Sequence, residues 1–557
     1  MLTSIDGSRF CQMIMCAANC LEEHKQLVDE MNVFPVPDGD TGTNMSMTVM
    51  SAAREVRNVY DASEQAPIAQ MAKALSSGAL RGARGNSGVI TSQLFRGMYR
   101  GLKEADEINT GVFAQAMTRG VETAYKAVMR PKEGTILTVA REMASYALNH
   151  ALTTEDMDEL LESTIHHGKE VLEQTPDMLP VLKEAGVVDA GGQGFLYVFE
   201  GMLAGLRLEE GVIPDLITAD SAKKQDAAPA AASTEAKEIK YGYCTEFIID
   251  GVKNPESHET MLREFCESLG DSLVLVTDEN IIKIHVHTND PGLVIQKALT
   301  LGQLINIKID NMRKQHQHTL GIDQEPAKAP APKKQEPPKE VGFITVSVGE
   351  GIATLFHDLG VDYVIPGGQT MNPSTEDILN AIDQVNAKNV VILPNNKNII
   401  LAARQAATLT KEKKVYVVSS RSIPQGITAM LNYGISENVE ENVEAMKESL
   451  STVVTGQVTF AVRDTHINDF EIHKDDILAI MDDEVCAAGA DQLETTKKLL
   501  DTMMEGGPEL MTIFYGQDAD QQLTDALEAY MRETYPDLEI EIHDGGQPLY
   551  YYIISAE

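Results

Sequence analysis

The sequence is poor in positive charge. Against 84 aspartates and glutamates stand 46 lysines and arginines, a formal net charge of −38 over 557 residues. Such a field opposes every phosphate brought near it and excludes nucleic acid or an anionic membrane as the main partner. A phosphate that the chain does hold needs metal ions or backbone N–H groups close by. Cysteine is scarce too. The six, at 11, 16, 20, 244, 266 and 486, form no CxxC pair and no dense framework, which suits a reducing compartment. Cys266 shares helical spacing with Leu262, Phe265 and Leu269 and reads as a core thiol. No apolar run approaches the ~20 residues of a membrane span. The opening residues lack a basic segment followed by an apolar core and a small-residue cleavage site, so the chain is expected to stay in the cytoplasm.

What is present divides into parts. A chain of 557 residues exceeds one hydrophobic core and calls for about three or four domains. Residues 218–240 and 323–340 are mixtures of Ala, Pro, Lys and Glu with almost nothing to bury, and both read as linkers, the second Pro-rich and stiffer. Residues 1–217 carry helical periodicity throughout, which predicts an all-α domain. Residues 241–322 give the strand signals "CTEFIIDG", "SLVLVTD" and "IIKIHVHT" around the helical "HETMLREFCESL", a small α+β middle domain. Residues 341–557 open with short apolar strands exchanging with helices and continue with "VTFAVRD", "LMTIFYG" and "LYYYIIS", which predicts an α/β C-terminal domain with a largely parallel sheet.

In "NVFPVPDGDTGTNM", residues 32–45, prolines and glycines shape a turn that delivers Asp38 and Asp40 just before a helix. One aspartate there is accounted for as a cap. Two, separated by a single glycine, can bring carboxylate oxygens to one hard cation, and Mg²⁺ takes one or two carboxylates and completes its shell with water and substrate phosphate. A calcium loop is excluded, because counting from Asp38 the chain has Gly42, Thr43 and Val49 where an EF-hand wants Asp or Asn, Gly and Glu. A second turn, "GARGNSGV", sets Gly85, Asn86, Ser87 and Gly88 before another helix, where backbone N–H groups and the Ser87 hydroxyl can approach phosphate oxygens. It is not a Walker A loop, since no lysine follows the glycines. The turns "EGTILT" and "GVVDAGGQGF" add Thr135 and Asp189. In "IIKIHVHT", a period of two puts His285 and His287 on one strand face, and Cys244 shares a face with Glu246, a plausible zinc set with His316 as a fourth candidate. An exposed HxH pair with no metal fits the spacing equally well. The GxG of "VSVGEGIATLF" reads as an ordinary strand-to-helix turn, and Ser374 with Asp377 as a capping box.

On these stretches the N-terminal part resembles the dihydroxyacetone-kinase L-subunit family, which implies a barrel of antiparallel helices with ATP at its loop-rich end. The whole chain resembles the catalytic subunits of the bacterial fatty acid kinases, through the same motifs and through "KIHVHTNDPG", "IPGGQTMNPSTED" and "GGQPLYYYIIS". The resemblance implies that Asp38 and Asp40 hold Mg²⁺, that Thr43, Asn44 and Ser87 contact phosphate, and that Asp189, with Thr135, belongs to the nucleotide loops. Where relatives carry a third metal aspartate upstream, this chain offers Asn32, an amide that brings no charge. It further implies a Cys244/His285/His287 metal site, phosphorylation of a fatty acid held by a separate fatty-acid-binding carrier, a C-terminal domain with the fold of the lipid carriers that serves to dock one, and a homodimer. A kinase for a small hydroxy compound, a nucleotide- and zinc-binding scaffold without catalysis, and a zinc hydrolase remain the alternatives, the last disfavoured because no Glu stands near the histidines as base.

Overall fold

The computed structural model describes residues 2–32, 39–63, 66–128, 131–209, 211–217, 243–250, 252, 256–278, 281–311, 338–368, 371–467 and 470–557. Asp38, His316, the first linker and nearly all of the second lie outside the described residues. The chain forms two compact units, Met1–Gln225 together with Pro338–Glu557, and Asp226–Pro337.

The N-terminal part is helical, as its periodicity predicts: α1 (Gly7–Glu30), α2 (Thr41–Ala62), α3 (Ile68–Gly82), α4 (Gly85–Leu102), α5 (Thr110–Ala127), α6 (Ile136–His150), α7 (Met157–Glu173), two short helices α8 (Thr175–Met178) and α9 (Pro180–Ala185), and α10 (Ala190–Arg207). Helices α1 to α7 each pack on the next, and α10 packs on α7, α6, α1 and α2. Small residues permit the close crossings. A Cβ on Gly201 or Gly205 of α10 would lie 2.5–2.6 Å from backbone atoms of α1. Apolar residues of all the long helices join in one core that includes Phe10, Phe95, Phe113 and Phe199.

The middle unit contains strands β1 (Tyr243–Asp250), β2 (Gly270–Asp278), β3 (Ile281–Thr288) and β4 (Gln303–Asn311), with helices α11 (Glu256–Leu269) and α12 (Pro291–Ala298). The strands form one antiparallel sheet in the order β2-β3-β1-β4. Alternate residues Phe247, Ile249, Ile282, Ile284 and Val286 are fully buried and share a core with Leu262 and the buried Cys266.

The C-terminal part corrects the expectation of one largely parallel sheet. Its first strands are β5 (Lys339–Ser347), β6 (Tyr363–Pro366), β7 (Ala387–Leu393) and β8 (Lys414–Val417), and these make a parallel sheet in the order β6-β5-β7-β8. The later strands are β9 (Val454–Phe460), β10 (Thr465–Ile467), β11 (Phe470–Ile472), β12 (Ile477–Met481), β13 (Glu484–Gly489), β14 (Leu510–Tyr515), β15 (Glu539–Asp544) and β16 (Tyr552–Ala556). Six of them form a separate sheet, β13-β12-β9-β16-β14-β15, antiparallel except where β14 runs beside β15, while β10 pairs with β11. Strand β9 ends before "AVRD". The GxG turn is ordinary packing: a Cβ on Gly351 would fall 1.8 Å from the Asp544 carbonyl oxygen. Ser374 and Asp377 form the expected capping box.

This part is stitched to the helical one by the loop between α3 and α4 and by residues of those two helices. Arg84 donates to the Asn372 carbonyl at 2.8 Å and stands 3.4 Å from the Asp377 carboxylate, the Thr375 N–H donates to the Ala83 carbonyl, and buried Gln405 bonds the Leu80 carbonyl and Gln93.

Candidate functional site

Four helices of the N-terminal part begin at one end. Gly85 opens α4 with a φ of +57° and lies so close to Asn44, in the first turn of α2, that a Cβ would sit 2.5 Å from its amide nitrogen. Gly194 of α10 faces Met45 of α2, and Gly191 faces Ile136, the first residue of α6. The starts of α2, α4, α6 and α10 are therefore gathered, and each presents the positive end of its macrodipole. In a chain this acidic, it is the region where an anion is best received.

Asp40 occupies the N-cap position of α2 but makes no side-chain cap bond. The cap comes from Asp29, near the C-terminus of α1. Its carboxylate accepts from the Gly42 N–H at 2.7 Å, the Thr43 N–H at 3.1 Å and the Thr43 hydroxyl at 2.7 Å. Burial pushes the Asp29 carboxyl above the ordinary aspartate range, against the pull of those donors. Asp40 is thus left to line a polar cavity of about 440 Å³. Asn32, Thr41, Asn44, Asn86 and Ser87 line the same cavity from the helical part, and Asn396, Lys397, Asn398, Arg421 and Gln425 from the C-terminal part. Asn372 donates its amide to the Asp40 carboxylate, and Asn86 donates to Asn398 at 3.1 Å. The Thr41 hydroxyl donates to Asn32 at 2.8 Å, whose own amide donates to the Asp29 carbonyl.

The sequence-derived residues fall into three groups. Asn32, Asp40, Asn44 and Ser87 come together on the cavity wall. Thr43, Thr135 and Asp189 do not line it. Thr43 is engaged by Asp29, and the Thr135 hydroxyl donates to the Lys132 carbonyl at 2.8 Å. Asp189 caps α10 through the Gly192 N–H at 2.7 Å, and also accepts from the Ile136 N–H beside Thr135. Desolvation raises its pKa to about 6 despite both bonds. Asp38 lies outside the described residues.

Sequence reasoning missed Asp29 and the whole C-terminal wall. The signal for Asp29 was slight: an acid 12 residues before the helix it caps, inside another helix. In the middle unit, β1 and β3 pair so that Cys244 is opposite His287 and Glu246 opposite His285. With Thr245, Phe247, Ile284 and Val286 buried, positions 244, 246, 285 and 287 fall on the other face of the pleat. No cluster of three or more metal-ligating side chains occurs among the described residues, and the side chains at 244, 285 and 287 are not among those described.

Comparison with known families finds a match in each of three regions. Residues 35–204 match the DAK2 domain, residues 240–319 the FakA-like middle domain of the fatty acid kinases, and residues 342–557 the FakA-like C-terminal region. The chain is 44% identical to the uncharacterized protein SAR1202 of Staphylococcus aureus (strain MRSA252) and to Protein YloV of Bacillus subtilis (strain 168), covering 100% of both chains in each case. Among solved structures it is similar to the DegV family protein Cg2579 from Corynebacterium glutamicum, at 17% identity over 39% of this chain and 96% of that one, with a TM-score of 0.31. With relatives of this identity aligned from end to end and a family match in each region, the chain belongs to the FakA-like family of fatty acid kinases.

Proposed function

We propose that the chain transfers the γ-phosphoryl group of ATP to the carboxylate of a fatty acid presented by a separate fatty-acid-binding carrier, releasing ADP and leaving an acyl phosphate. The observation that carries this reading is the polar cavity at the gathered helix starts, lined by an aspartate relieved of capping. Asp38 and Asp40 would hold Mg²⁺, which supplies charge neutralisation of the phosphate oxygens. Asn32, Asn44 and Ser87 offer amide and hydroxyl contacts on the same wall, Thr43 and Thr135 stand at helix starts of the same end, and the α10 start with Asp189 takes the far end of the nucleotide. A carboxylate oxygen attacks the γ-phosphorus as the bond to the β–γ bridging oxygen breaks, and the electron pair leaves with ADP. No base is required, because a carboxylate acceptor is already ionised at neutral pH. The row of helices that α10 closes supports the barrel expected of this family.

In the middle unit, Cys244, His285 and His287 would hold Zn²⁺. A directly opposed cross-strand pair has Cβ atoms about 4.5–5.5 Å apart, which suits a thiolate and an imidazole sharing one ion. About one zinc per chain, lost in Cys244→Ala, is the expected metal analysis, and full zinc occupancy in that variant would remove the assignment. The reading also puts the protein in the cytoplasm as a homodimer, which sedimentation of the purified chain tests.

The deciding assay combines the protein with ATP, Mg²⁺, a fatty acid and its carrier, and traps acyl phosphate with hydroxylamine. Hydroxamate that depends on every component is expected. A phosphorylated small hydroxy compound made without carrier would favour the other kinase class, and ADP binding with no phosphorylated product would favour a scaffold.

A further inference from the structure

Asn372 belongs to the C-terminal part, between β6 and the helix Thr375–Gln384, and stands 332 positions from Asp40 in the chain. It is 2% exposed and is not among the residues that line the polar cavity, yet its amide Nδ2 donates to Asp40 Oδ2. Asp40 does line that cavity, so the amide holds the carboxylate from behind the wall.

The backbone that carries this amide is fixed on the helical part. The Asn372 carbonyl accepts from Arg84 at 2.8 Å, the Thr375 N–H donates to the Ala83 carbonyl at 3.0 Å, and the capping box of Ser374 and Asp377 sets the turn between them. The other half of the amide gains nothing from its position. Asn372 Oδ1 is buried without a partner among the described residues, and an orphaned buried acceptor costs stability. An apolar side chain of similar size would avoid that cost. What the amide supplies in return is the bond to Asp40.

That bond suits a carboxylate that has to meet a cation. Asp40 makes no cap bond to its own helix, so α2 does not orient its side chain that way. An amide brings N–H donors and no charge, whereas a lysine or arginine in its place would cancel the charge that draws the cation. The two oxygens of a carboxylate have about four acceptor sites, and one amide bond does not exhaust them. Carboxylates that ligate metals are commonly held by outer partners of this kind, whose loss costs roughly 10–100-fold in metal affinity.

We propose that Asn372 is a positioning residue for the cation at Asp40, so that the C-terminal part completes the phosphoryl-transfer site across the join between the two parts. The inference rests on the reading of Asp40 as a magnesium ligand. It makes the magnesium affinity of the helical part depend on the seating of the C-terminal one.

The test measures ADP affinity of the full chain by calorimetry as Mg²⁺ is raised stepwise, and reads the Mg²⁺ concentration at which half of the tightening is reached. Asn372→Ala and Asn372→Ser both withdraw the donor from Asp40, the second leaving a small polar side chain in the join. Each should raise that midpoint by about tenfold or more and leave ADP affinity without Mg²⁺ unchanged. Gln405→Ala cuts the same join at its bonds to Leu80 and Gln93 without touching Asn372. It should lower the melting temperature and keep the parental midpoint. A parental midpoint in folded Asn372→Ala and Asn372→Ser, with magnesium dependence lost in Asp40→Ala, would overturn the proposal and leave the kinase reading standing. A midpoint raised equally in Gln405→Ala would overturn it too, since any loosening of the join would then suffice. A parent chain whose ADP affinity ignores Mg²⁺ would take down both this inference and the magnesium role of Asp40.

Discussion

Asp40 and Asp189 hold the same position in two helices that begin at the same end of the bundle, and they do opposite things. Asp189 caps α10 with its own carboxylate, which accepts from Gly192 and Ile136 N–H groups. Asp40 stands at the cap position of α2 yet leaves the cap to Asp29, and its carboxylate lines the polar cavity. An acid at a helix start is thus available for other chemistry only when something else satisfies the first-turn N–H groups. Here the substitute comes from the end of the preceding helix.

Substitutions at these positions should separate the two roles, beginning where the effect is greatest. Asp40→Ala should lower turnover by on the order of 10² or more, the loss of one transition-state stabiliser. A stability loss matching a lost cap, with activity intact, would erase the distinction. Asp29→Ala should do the reverse and destabilise by about 1–2 kcal/mol, read by denaturant unfolding. Thr43→Val probes the partner of that cap. If Thr43 serves Asp29, stability falls by about 1 kcal/mol and KM for ATP holds. A large rise in KM at unchanged stability would return Thr43 to the phosphate contacts that the family resemblance implies.

The smallest effect concerns pH. The folded-state pKa of Asp189 is raised to about 6, above its unfolded value, so the folded state holds the proton more tightly. Its contribution to stability is complete below the unfolded pKa near 4 and is lost as pH rises through about 6. Asp189→Asn should therefore flatten the fall in melting temperature across that window. An unchanged profile would show that Asp189 is not the group responsible.

Much of this arrangement was legible in the letters because it is local. The helix that starts at Thr41, helical periodicity over residues 1–217, and the alternation of Ile282, Ile284 and Val286 with histidines each depend on neighbours a few positions apart. What was not legible depends on distant parts of the chain. Asp29 reads as one more polar residue of α1 until α2 folds back along that helix. Lys397 and Arg421 reach the cavity only through the packing seam at Arg84 and Gln405. The later C-terminal strands look like those of the first sheet in composition. Their separation into an antiparallel sheet is set by pairing partners such as Ser555 with Thr455, 100 positions apart, and no spacing rule announces these.

If Asp40 is reserved for the cation that accompanies a nucleotide, magnesium and nucleotide binding must be coupled through it. Calorimetric titration of ADP with and without Mg²⁺, on the parent chain, Asp40→Ala and Asp189→Asn, reads that coupling. Magnesium should tighten ADP binding by about tenfold or more in the parent and in Asp189→Asn, and should have no effect in Asp40→Ala. The same magnesium dependence in all three proteins would contradict it.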